Sequence, residues 1–295
     1  MSSPRKQVVV IGSANMDLVT RVREFPRPGE TIAGSALEQH PGGKGANQAV
    51  AAARAGAKVS FIGNIGRGAI GDALVAGLKK ERIDLMHLER SRELPAGTAV
   101  ILLNQRGENQ IVVTRSSNDL VSVDQVHEAK KTIQQAGMVL LQLEVPLAAV
   151  REAVAIAHKS GVPVMLNPAP IAEALPEVLL EKVDWLTPNE RELTVLAKTK
   201  VSTKAEIETA ARKLLRTGVK NVVVTCGARG ACWVSLTGTQ WIPAKRVKAV
   251  DTVGAGDCFS GTLAAALVHG DEPAGAIRYA VDAATVKVTQ KGARG

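Results

Sequence analysis

Hydrophobic and polar positions alternate in blocks along the chain. Short apolar runs rich in β-branched residues predict buried strands, and these runs lie at 7–13, 58–63, 138–143, 162–166, 183–186 and 221–225. Longer stretches with helical periodicity separate them, and these lie at 46–55, 71–80, 124–135, 146–159, 205–216 and 256–268. Repeated alternation of strand and helix predicts an α/β fold, with a mostly parallel central sheet and helices on both faces.

Two regions depart from this alternation. Residues 30–40 have an extended pattern, and two further apolar segments, 98–104 and 110–114, flank a five-residue turn that is typical of a β-hairpin. These pieces predict a small antiparallel sheet outside the main one. Because the chain has no low-complexity linker and no internal repeat, we expect one domain spanning residues 1–295. Thr203 and Glu206 form a capping box, which predicts a helix start.

The composition indicates a globular protein and argues against a membrane-spanning, secreted or disulfide-rich one. Hydrophobic residues make up 45% of the 295 residues, as in a globular core. No apolar stretch approaches the roughly 18 residues of a membrane span, and the apolar run from Val8 to Ile11 is too short for a signal peptide. Three cysteines, none of them in a C-x-x-C pair, cannot form a disulfide framework. We therefore expect a soluble, cytoplasmic protein.

The formal net charge of +9 favours anionic partners, such as nucleic acid, an anionic membrane surface or a phosphorylated substrate. The Lys and Arg residues are scattered, however, and aromatic residues make up only 2% of the chain, too few for a base-stacking platform. We therefore expect a small-molecule substrate and no nucleic-acid or membrane partner.

Residues 251–257 read DTVGAGD and precede a predicted helix. Small residues let a ligand approach the backbone, and the N–H groups of a first helical turn form an anion site. A carboxylate at Asp257 would repel a resting anion, but it suits a base that accepts a proton from a hydroxyl attacking phosphorus. An ordinary glycine-rich helix start, with an aspartate favoured by the helix dipole, explains the same residues.

A second glycine cluster, at 41–47, opens an alanine-rich helix. It is not a Walker A loop, because Glu38 occupies the first glycine position and Gly45 replaces the hydroxyl residue after Lys44. Without that metal-binding hydroxyl, Lys44 and Asn47 better suit the hydroxyl groups of a polyol. A capped helix start is the alternative.

Residues 66–71 match the G-x-G-x-x-G pattern of dinucleotide-binding proteins, and Glu89 follows near the distance of a ribose-binding acid. Alone, this match favours a dehydrogenase. The pattern follows the second predicted strand rather than the first, however, so a plain strand-to-helix turn is the competing interpretation.

Polar residues follow several predicted strands. They are Asn15, Asp17, Glu144, Asn167, Asn189, Glu190 and Glu192. Ligands of open α/β sheets bind beyond the carboxyl ends of the strands, so this placement predicts a polar site there. Spacings typical of metal ligands and the G-x-S-x-G nucleophile motif are both absent from the sequence.

Taken together, these motifs resemble the ribokinase branch of the sugar kinase family that also contains adenosine kinase and fructokinases. The matching segments are 12–17, 42–49, 142–144, 167–170, 187–190, 225–230 and 251–257, and they span nearly the whole chain. The resemblance implies transfer of the γ-phosphoryl group of ATP to O5 of D-ribose. Deoxyribose or another sugar is the alternative within the family. A degenerate kinase retained as a sugar- or nucleotide-binding protein is the alternative outside it.

The resemblance also implies site residues. Asp257 would be the catalytic base, and Gly254, Ala255 and Gly256 would form the anion hole. The implied sugar-binding residues are Asn15, Asp17, Gly43, Lys44, Asn47, Glu144 and Asp257. The implied nucleotide-side residues are Asn189, Thr225, Gly227, Gly230 and Gly256, with Glu192 helping to organise Mg²⁺ through water. Segments 30–40 and 98–114 would form a β-lid that closes on the sugar and pairs in a homodimer.

The chain departs from the family pattern at several places, among them Val281, where many relatives have asparagine. Gly68 replaces a usual aspartate, and Arg115 lies in a lid segment where relatives have small residues. The chain ends at Gly295, before the Ser-containing turn with which the family continues and which supplies part of a K⁺ loop. Asp251 and Val253 would supply the other side of that K⁺ site through oxygen ligands.

Overall fold

Two sheets organise the protein. A computed structural model describes residues 7–295. The strands are β1 (Gln7–Ile11), β2 (Asn15–Arg21), β3 (Glu38–Gly42), β4 (Lys58–Asn64), β5 (Leu88–Glu89), β6 (Gly97–Leu103), β7 (Asn109–Thr114), β8 (Met138–Leu141), β9 (Val164–Leu166), β10 (Trp185–Leu186), β11 (Asn221–Thr225), β12 (Ala231–Ser235) and β13 (Gly238–Ile242). The larger sheet has the order β13-β12-β11-β10-β9-β8-β1-β4-β5 and the smaller one β3-β2-β6-β7.

Helices cover the larger sheet. They are α1 (Lys44–Arg54), α2 (Ala69–Lys80), α3 (Val123–Glu128), α4 (Lys130–Gln135), α5 (Leu147–Lys159), α6 (Glu177–Leu180), α7 (Glu190–Ala197), α8 (Lys204–Leu215), α9 (Ala255–His269) and α10 (Pro273–Lys287). Two short 3-10 helices lie at Ser116–Leu120 and Gly227–Arg229. Within residues 7–295, no helix combines the length and apolar character that crossing a membrane requires.

The central strands are buried on both faces because alternate residues of a strand point to opposite sides. Val8 and Val10 of β1 pack in a core with α1, α2, α9 and α10. Val9 and Ile11 pack in a second core with α3–α8. The strands from β11 to β5 pair in parallel, and β12 and β13 add an antiparallel edge. The predicted α/β fold is confirmed.

The smaller sheet contains the predicted hairpin as β6 and β7, paired antiparallel. The prediction for residues 30–40 was right only at its end, where β3 begins at Glu38, and residues 30–37 form no regular strand. The sheet is also not purely antiparallel, because β2 pairs in parallel with β6. Asn15 and Asp17, predicted as residues following a strand, lie on β2 itself.

Several elements differ from the sequence-based prediction. The predicted helix at 124–135 is two helices, α3 and α4, which meet at Ala129. The β12–β13 hairpin and α10 were not predicted, although Pro273 in the first turn of α10 is a recognisable start signal. The capping box is present: Thr203 Oγ1 accepts from the backbone N–H of Glu206 at 3.2 Å.

Candidate active site

Asp257 lies in the first turn of α9 and is 6% exposed. Its Oδ2 accepts a hydrogen bond from Asn47 Nδ2 at 3.0 Å, and its Oδ1 accepts one from Gln48 Nε2 at 3.0 Å. Both donors lie on α1, which runs close to α9 because Gly261 has no side chain. A Cβ there would lie 2.3 Å from the carbonyl oxygen of Gln48. The close packing of two helices therefore fixes the orientation of the carboxylate.

A buried network of amides supports Asp257 from behind. Gln48 Oε1 accepts from Gln142 Nε2 at 2.6 Å, and Gln48 Nε2 also donates to Asn167 Oδ1 at 3.0 Å. Asn167 Nδ2 in turn donates to the Thr187 carbonyl at 2.8 Å. The network links α1 to the residues that follow β8, β9 and β10. Sequence reasoning placed Asn167 among the polar strand-end residues but missed the role of Gln48 and Gln142.

The first turn of α9 is the predicted anion hole. Gly254 precedes it with φ +75°, a backbone conformation that favours glycine. The first N–H groups of an α-helix have no partner within the helix, and the helix dipole makes this end attractive to anions. Gly254, Ala255 and Gly256 thus place backbone N–H groups beside the carboxylate of Asp257, and that of Ala255 also donates to the Thr252 carbonyl at 3.3 Å.

The predicted sugar-side residues meet at the start of α1. Glu144 Oε2 accepts from the backbone N–H of Lys44 at 2.9 Å and also from the Ser13 hydroxyl. Gly42 passes so close to Asp17 that a Cβ there would lie 2.6 Å from its carboxylate oxygens. Gly43 has φ +86°, and a Cβ would lie 2.6 Å from the backbone nitrogen of Asn15. These glycines let α1 begin directly against β2.

The charges in this region influence one another. Burial raises the pKa of Asp17 to about 6; Glu144 and Asp257 add to the rise, whereas Arg294 and His40 oppose it. Burial lowers the pKa of Lys44, but the carboxylates of Asp257, Glu144, Glu192 and Asp17 outweigh this effect and leave it above its ordinary value. Lys44 therefore stays cationic within a ring of carboxylates.

Asn118 anchors the predicted sugar residue Asn15, and sequence reasoning did not single it out. Its Nδ2 donates to Asn15 Oδ1 at 2.7 Å, and its Oδ1 accepts from the backbone of Ala14 at 2.9 Å. Arg115, which replaces the small residues of relatives in this segment, forms an ion pair with Asp119 at 2.9 Å, and its side chain is 42% exposed.

A cleft of about 160 Å³ lies between the α9 N-terminus and the ends of β10 and β11. Its walls are formed by Lys44, Asn167, Ala169, Thr187, Asn189, Glu192, Thr225, Thr252 and residues 254–257. Predicted nucleotide-side residues therefore share one wall with the anion hole. Gly230 does not line this cleft. It has φ +89°, and a Cβ there would lie 2.0 Å from the Ile242 carbonyl oxygen, so it serves a tight backbone approach. Gly227 lies in the same turn with open space around its Cα.

Glu192 and Asn189 form a capping box at the start of α7. Glu192 Oε2 accepts from the Asn189 backbone at 2.8 Å, and Oε1 accepts from Asn189 Nδ2 at 2.9 Å. Burial raises the pKa of Glu192.

No cluster of three or more His, Cys, Asp or Glu side chains is arranged to hold a metal within residues 7–295. Glu192 and Asp257 are the two carboxylates on the cleft wall, and this number still fits Mg²⁺, which proteins often hold by one or two carboxylates, phosphates and waters.

Every oxygen of the predicted K⁺ ligand Asp251 accepts a hydrogen bond. Its Oδ1 accepts from the Val253 backbone and its Oδ2 from the Gly292 backbone, both at 2.9 Å. Its carbonyl oxygen accepts from the Lys287 ammonium at 3.0 Å. A cationic side chain thus already occupies the neighbourhood expected for K⁺, and the donors around Asp251 do not fit that ion.

The segment 291–295 reaches the site through Arg294. Its Nε donates to Asn47 Oδ1 at 2.9 Å, and its Nη2 donates to the Gly42 carbonyl at 3.0 Å. Burial lowers the pKa of Arg294 to about 10, which leaves the guanidinium charged near neutral pH. Sequence reasoning missed this residue because nothing in a terminal KGARG segment indicates a contact with α1.

The G-x-G-x-x-G segment is a packed strand-to-helix turn. The backbone N–H of Gly66 donates to Ser117 Oγ at 2.9 Å, and that of Arg67 donates to the Ser91 carbonyl at 2.9 Å. A Cβ on Gly71 would lie 1.8 Å from the Gly66 carbonyl oxygen. The N–H groups of Gly66 and Arg67 are therefore used within the protein, which weakens the dehydrogenase alternative because these two donors are not free for a pyrophosphate.

Comparison with known proteins agrees with this geometry. The family model described as pfkB family carbohydrate kinase matches residues 5–295. The chain belongs to the pfkB family of carbohydrate kinases. The predicted family and the predicted enzyme class, a sugar kinase, are confirmed.

Individual pfkB-family relatives are similar over almost their full lengths. The ribokinase of Haemophilus influenzae is 40% identical over 291 residues, covering 98% of this chain and 94% of that protein. The deoxyribokinase of Salmonella typhi is 36% identical over 285 residues, covering 97% and 93%. A crystal structure of ribokinase from Thermotoga maritima superposes with a TM-score of 0.90 at 34% identity, covering 98% and 95%. A structure of Arabidopsis thaliana ribokinase complexed with ribose and ATP has a TM-score of 0.90 at 32% identity, covering 99% and 95%.

Proposed function

We propose that this pfkB-family kinase transfers the γ-phosphoryl group of ATP to O5 of D-ribose, giving ribose 5-phosphate. The observation that carries the proposal is the position of Asp257. Its buried carboxylate stands between the first-turn N–H groups of α9 and the cluster of sugar-side residues. The similarity to Haemophilus influenzae ribokinase and to the Arabidopsis ribokinase complexed with ribose and ATP supports the choice of both substrates.

Asp257 is the proposed general base. One hydrogen bond from Asn47 and one from Gln48 hold its two oxygens, and each oxygen keeps a further lone pair for the O5 proton. As the proton moves to Asp257, the oxygen attacks the γ-phosphorus in line with the departing ADP. The N–H groups of Gly254, Ala255 and Gly256 stabilise the charge on the transferring group.

Six further residues are the proposed sugar ligands. They are Asn15, Asp17, Gly43, Lys44, Asn47 and Glu144. Carboxylate and amide oxygens accept hydrogen bonds from vicinal hydroxyls, and the Lys44 ammonium donates one. The electrostatic effects of Glu144 and Asp257 on Asp17, and of all three carboxylates on Lys44, support a shared site for these groups.

The cleft wall is the proposed nucleotide side. Asn189, Thr225, Gly227, Gly230 and Gly256 are its proposed contacts, of which Asn189, Thr225 and Gly256 line the cleft. Glu192, held by Asn189, would help to hold Mg²⁺ with the phosphates and water. Mg²⁺ supplies charge neutralisation of the phosphates when bound. Burial raises the pKa of Glu192, whereas the Asn189 backbone and the Lys44 ammonium oppose that rise.

The smaller sheet is the proposed lid, with segments 30–40 and 98–114 as parts of the single domain. Closure would exclude water, which otherwise competes with the sugar for the phosphoryl group. The strands β6 and β7 expose Val100, Ile111, Val112 and Val113, the last three by 50% or more. Exposed apolar patches of this kind mark contact surfaces, so we propose a homodimer formed by lid pairing. Three free cysteines suit a reducing, cytoplasmic compartment.

Deoxyribose is the second candidate substrate. The 36% identity to Salmonella typhi deoxyribokinase favours it, and the proposed sugar ligands suit any small polyol of the right length. The two candidates differ in one hydroxyl group. A site built to hydrogen-bond that hydroxyl would reject the analogue that lacks it.

The test is ADP release from ATP and Mg²⁺ with ribose, 2-deoxyribose, fructose, adenosine or no sugar. We expect release with ribose to exceed all other conditions. Faster ADP release with 2-deoxyribose than with ribose would show that 2-deoxyribose is the preferred substrate. A folded protein that binds ATP by calorimetry but shows no release with any sugar would instead be a binding protein.

A further inference from the structure

Lys287 is a buried lysine that the proposed mechanism does not use. It lies in the last turn of α10 and is 4% exposed. Its ammonium donates to the carbonyl oxygen of Asp251 at 3.0 Å, and no ion pair within residues 7–295 involves it. A buried ammonium is costly unless its surroundings compensate for the lost hydration, so its retention needs an explanation.

The groups around Lys287 supply part of that compensation: burial lowers the pKa of Lys287, and its acidic neighbours oppose that effect. The carboxylates of Asp251 and Asp257 and the thiol of Cys258 are the titratable groups that act on it. Asp251 and Asp257 bound the loop that leads into α9, and residues 254–256 between them are the proposed anion hole. The ammonium of Lys287 therefore lies at the start of the loop that contains the proposed anion hole, and Lys287 does not line the cleft.

Asp251 connects Lys287 to the loop through hydrogen bonds. Its carboxylate accepts from the backbone of Val253 on one oxygen and from that of Gly292 on the other. The backbone N–H of Ala255 then donates to the Thr252 carbonyl at 3.3 Å, which turns the chain into α9. Holding the Asp251 carbonyl thus holds the start of the anion hole.

A K⁺ ion at the same place would meet the Lys287 ammonium. Two like charges this close repel strongly where burial limits screening by water. Asp251 also has no oxygen that lacks a donor. The charge that a bound ion would bring is already present in the chain.

We propose that the Lys287 ammonium is a built-in monovalent cation, which positions the anion-hole loop through Asp251 and makes the kinase independent of K⁺. Lys287 is a positioning residue, since it acts on the reaction through Asp251. The inference rests on the proposed kinase function, but it also predicts ion-binding behaviour that needs no turnover.

The kinetic test compares chloride salts of K⁺, Na⁺ and tetramethylammonium at equal ionic strength. We expect the wild-type kcat to agree within about twofold in all three salts, a barrier difference below about 0.5 kcal/mol. Lys287→Met removes the charge and keeps the length. We expect it to lose about tenfold or more in tetramethylammonium, about 1.4 kcal/mol, and to recover partly with K⁺ or methylammonium. Lys248→Met, at an exposed lysine ahead of the same loop, is the matched control and should behave as wild type.

Two kinetic results would overturn the proposal. One is a wild-type enzyme that K⁺ activates several-fold over tetramethylammonium. The other is a folded Lys287→Met variant that matches wild type in tetramethylammonium. If the variant does not fold, the wild-type salt comparison still decides.

Thermal melting and ATP calorimetry provide readouts without catalysis. We expect the melting temperature and the ATP affinity of the wild type to be equal in K⁺ and tetramethylammonium, and K⁺ to raise both for Lys287→Met. A K⁺-specific rise in the wild type would overturn the inference. An absence of turnover with every sugar would overturn the proposed function alone, since these two measurements would still decide the role of Lys287.

Discussion

Gln48 donates a hydrogen bond to Asp257 across 209 positions of the chain, with 3.0 Å between Nε2 and Oδ1. The same amide group donates to Asn167 and accepts from Gln142. One fully buried side chain therefore connects the proposed base to the residues that follow two strands of the main sheet. A base held in this way needs no reorientation before it accepts a proton.

Replacing Gln48 with leucine should weaken both the fold and the reaction. The substitution leaves buried polar groups on Asp257, Asn167 and Gln142 without this partner. Each such loss costs about 1–3 kcal/mol. With three such groups, we expect a free energy of unfolding lower by about 3 kcal/mol or more. We expect a kcat lower by about tenfold, with the KM for ATP little changed. Urea unfolding and steady-state kinetics measure the two effects. Gln240→Leu, at an exposed glutamine of β13, should change neither. An unchanged kcat would mean that Gln48 does not orient the base.

Replacing Asp257 with asparagine should remove turnover and spare ATP binding. A general base contributes about 10²–10⁴-fold to the rate, and the amide cannot accept the O5 proton. The anion-hole backbone is unaltered by the change, so calorimetry should give an ATP affinity near that of wild type. Asp271→Asn, an acid-to-amide change at an exposed position after α9, is the control. A variant within about threefold of wild-type kcat would exclude Asp257 as the base, because so small a loss is below the range for general bases.

The α/β fold and the positions of the glycine loops could be predicted from the sequence, because strand and helix periodicity and glycine-rich helix starts are local signals. The hydrogen bonds that hold the site residues in place could not be predicted. Gln48, Gln142 and Asn118 are ordinary amides whose partners lie far away in sequence. The G-x-G-x-x-G segment suggested a dinucleotide site because its local pattern does not show which tertiary partners its N–H groups have. Its local pattern suits a phosphate, but Ser117 and Ser91 use its donors. Lys287 and Arg294 were missed because burial of a cation depends on tertiary packing alone.

The KM for the sugar should depend on pH through Asp17. Burial, with Glu144 and Asp257, raises the pKa of this carboxyl from 3.8 to about 6. Asp17 therefore becomes protonated as the pH falls through about 6 and then loses half of its acceptor capacity toward sugar hydroxyls. We expect the KM for the sugar to rise below pH 6, with a smaller change in kcat. Asp17→Asn should show a high KM that no longer varies over this range. A wild-type KM that is flat from pH 5 to pH 8 would contradict the assignment.

The raised pKa of Asp17 also affects stability, and its pH dependence is opposite in sign to that of an acid whose pKa a salt bridge lowers. The folded protein binds the Asp17 proton more tightly than the unfolded chain, whose carboxyl titrates near 3.8. This group therefore lowers the free energy of unfolding as the pH rises from about 4 to about 6, and its effect is constant above that. Asp17→Asn should remove this contribution. Urea unfolding at pH 5 and pH 7 measures the difference in free energy of unfolding between the wild type and Asp17→Asn. If that difference is no larger at pH 7 than at pH 5, the raised pKa of Asp17 is contradicted.

Replacing Arg294 should move that pH dependence. The guanidinium lowers the pKa of Asp17, and it also fixes Asn47 by donating to its Oδ1 at 2.9 Å. Without it, Asp17 protonates at a higher pH and Asn47 loses one of its two side-chain partners. We expect Arg294→Ala to raise the KM for the sugar several-fold near neutral pH and to shift the onset of its rise above pH 6. Arg294→Lys keeps the charge but not the two-point contact, so it should restore the pH profile and leave part of the KM defect. Arg216→Ala, at an exposed arginine after α8, serves as the control. A raised KM with an unmoved pH profile would assign Arg294 to holding Asn47 alone.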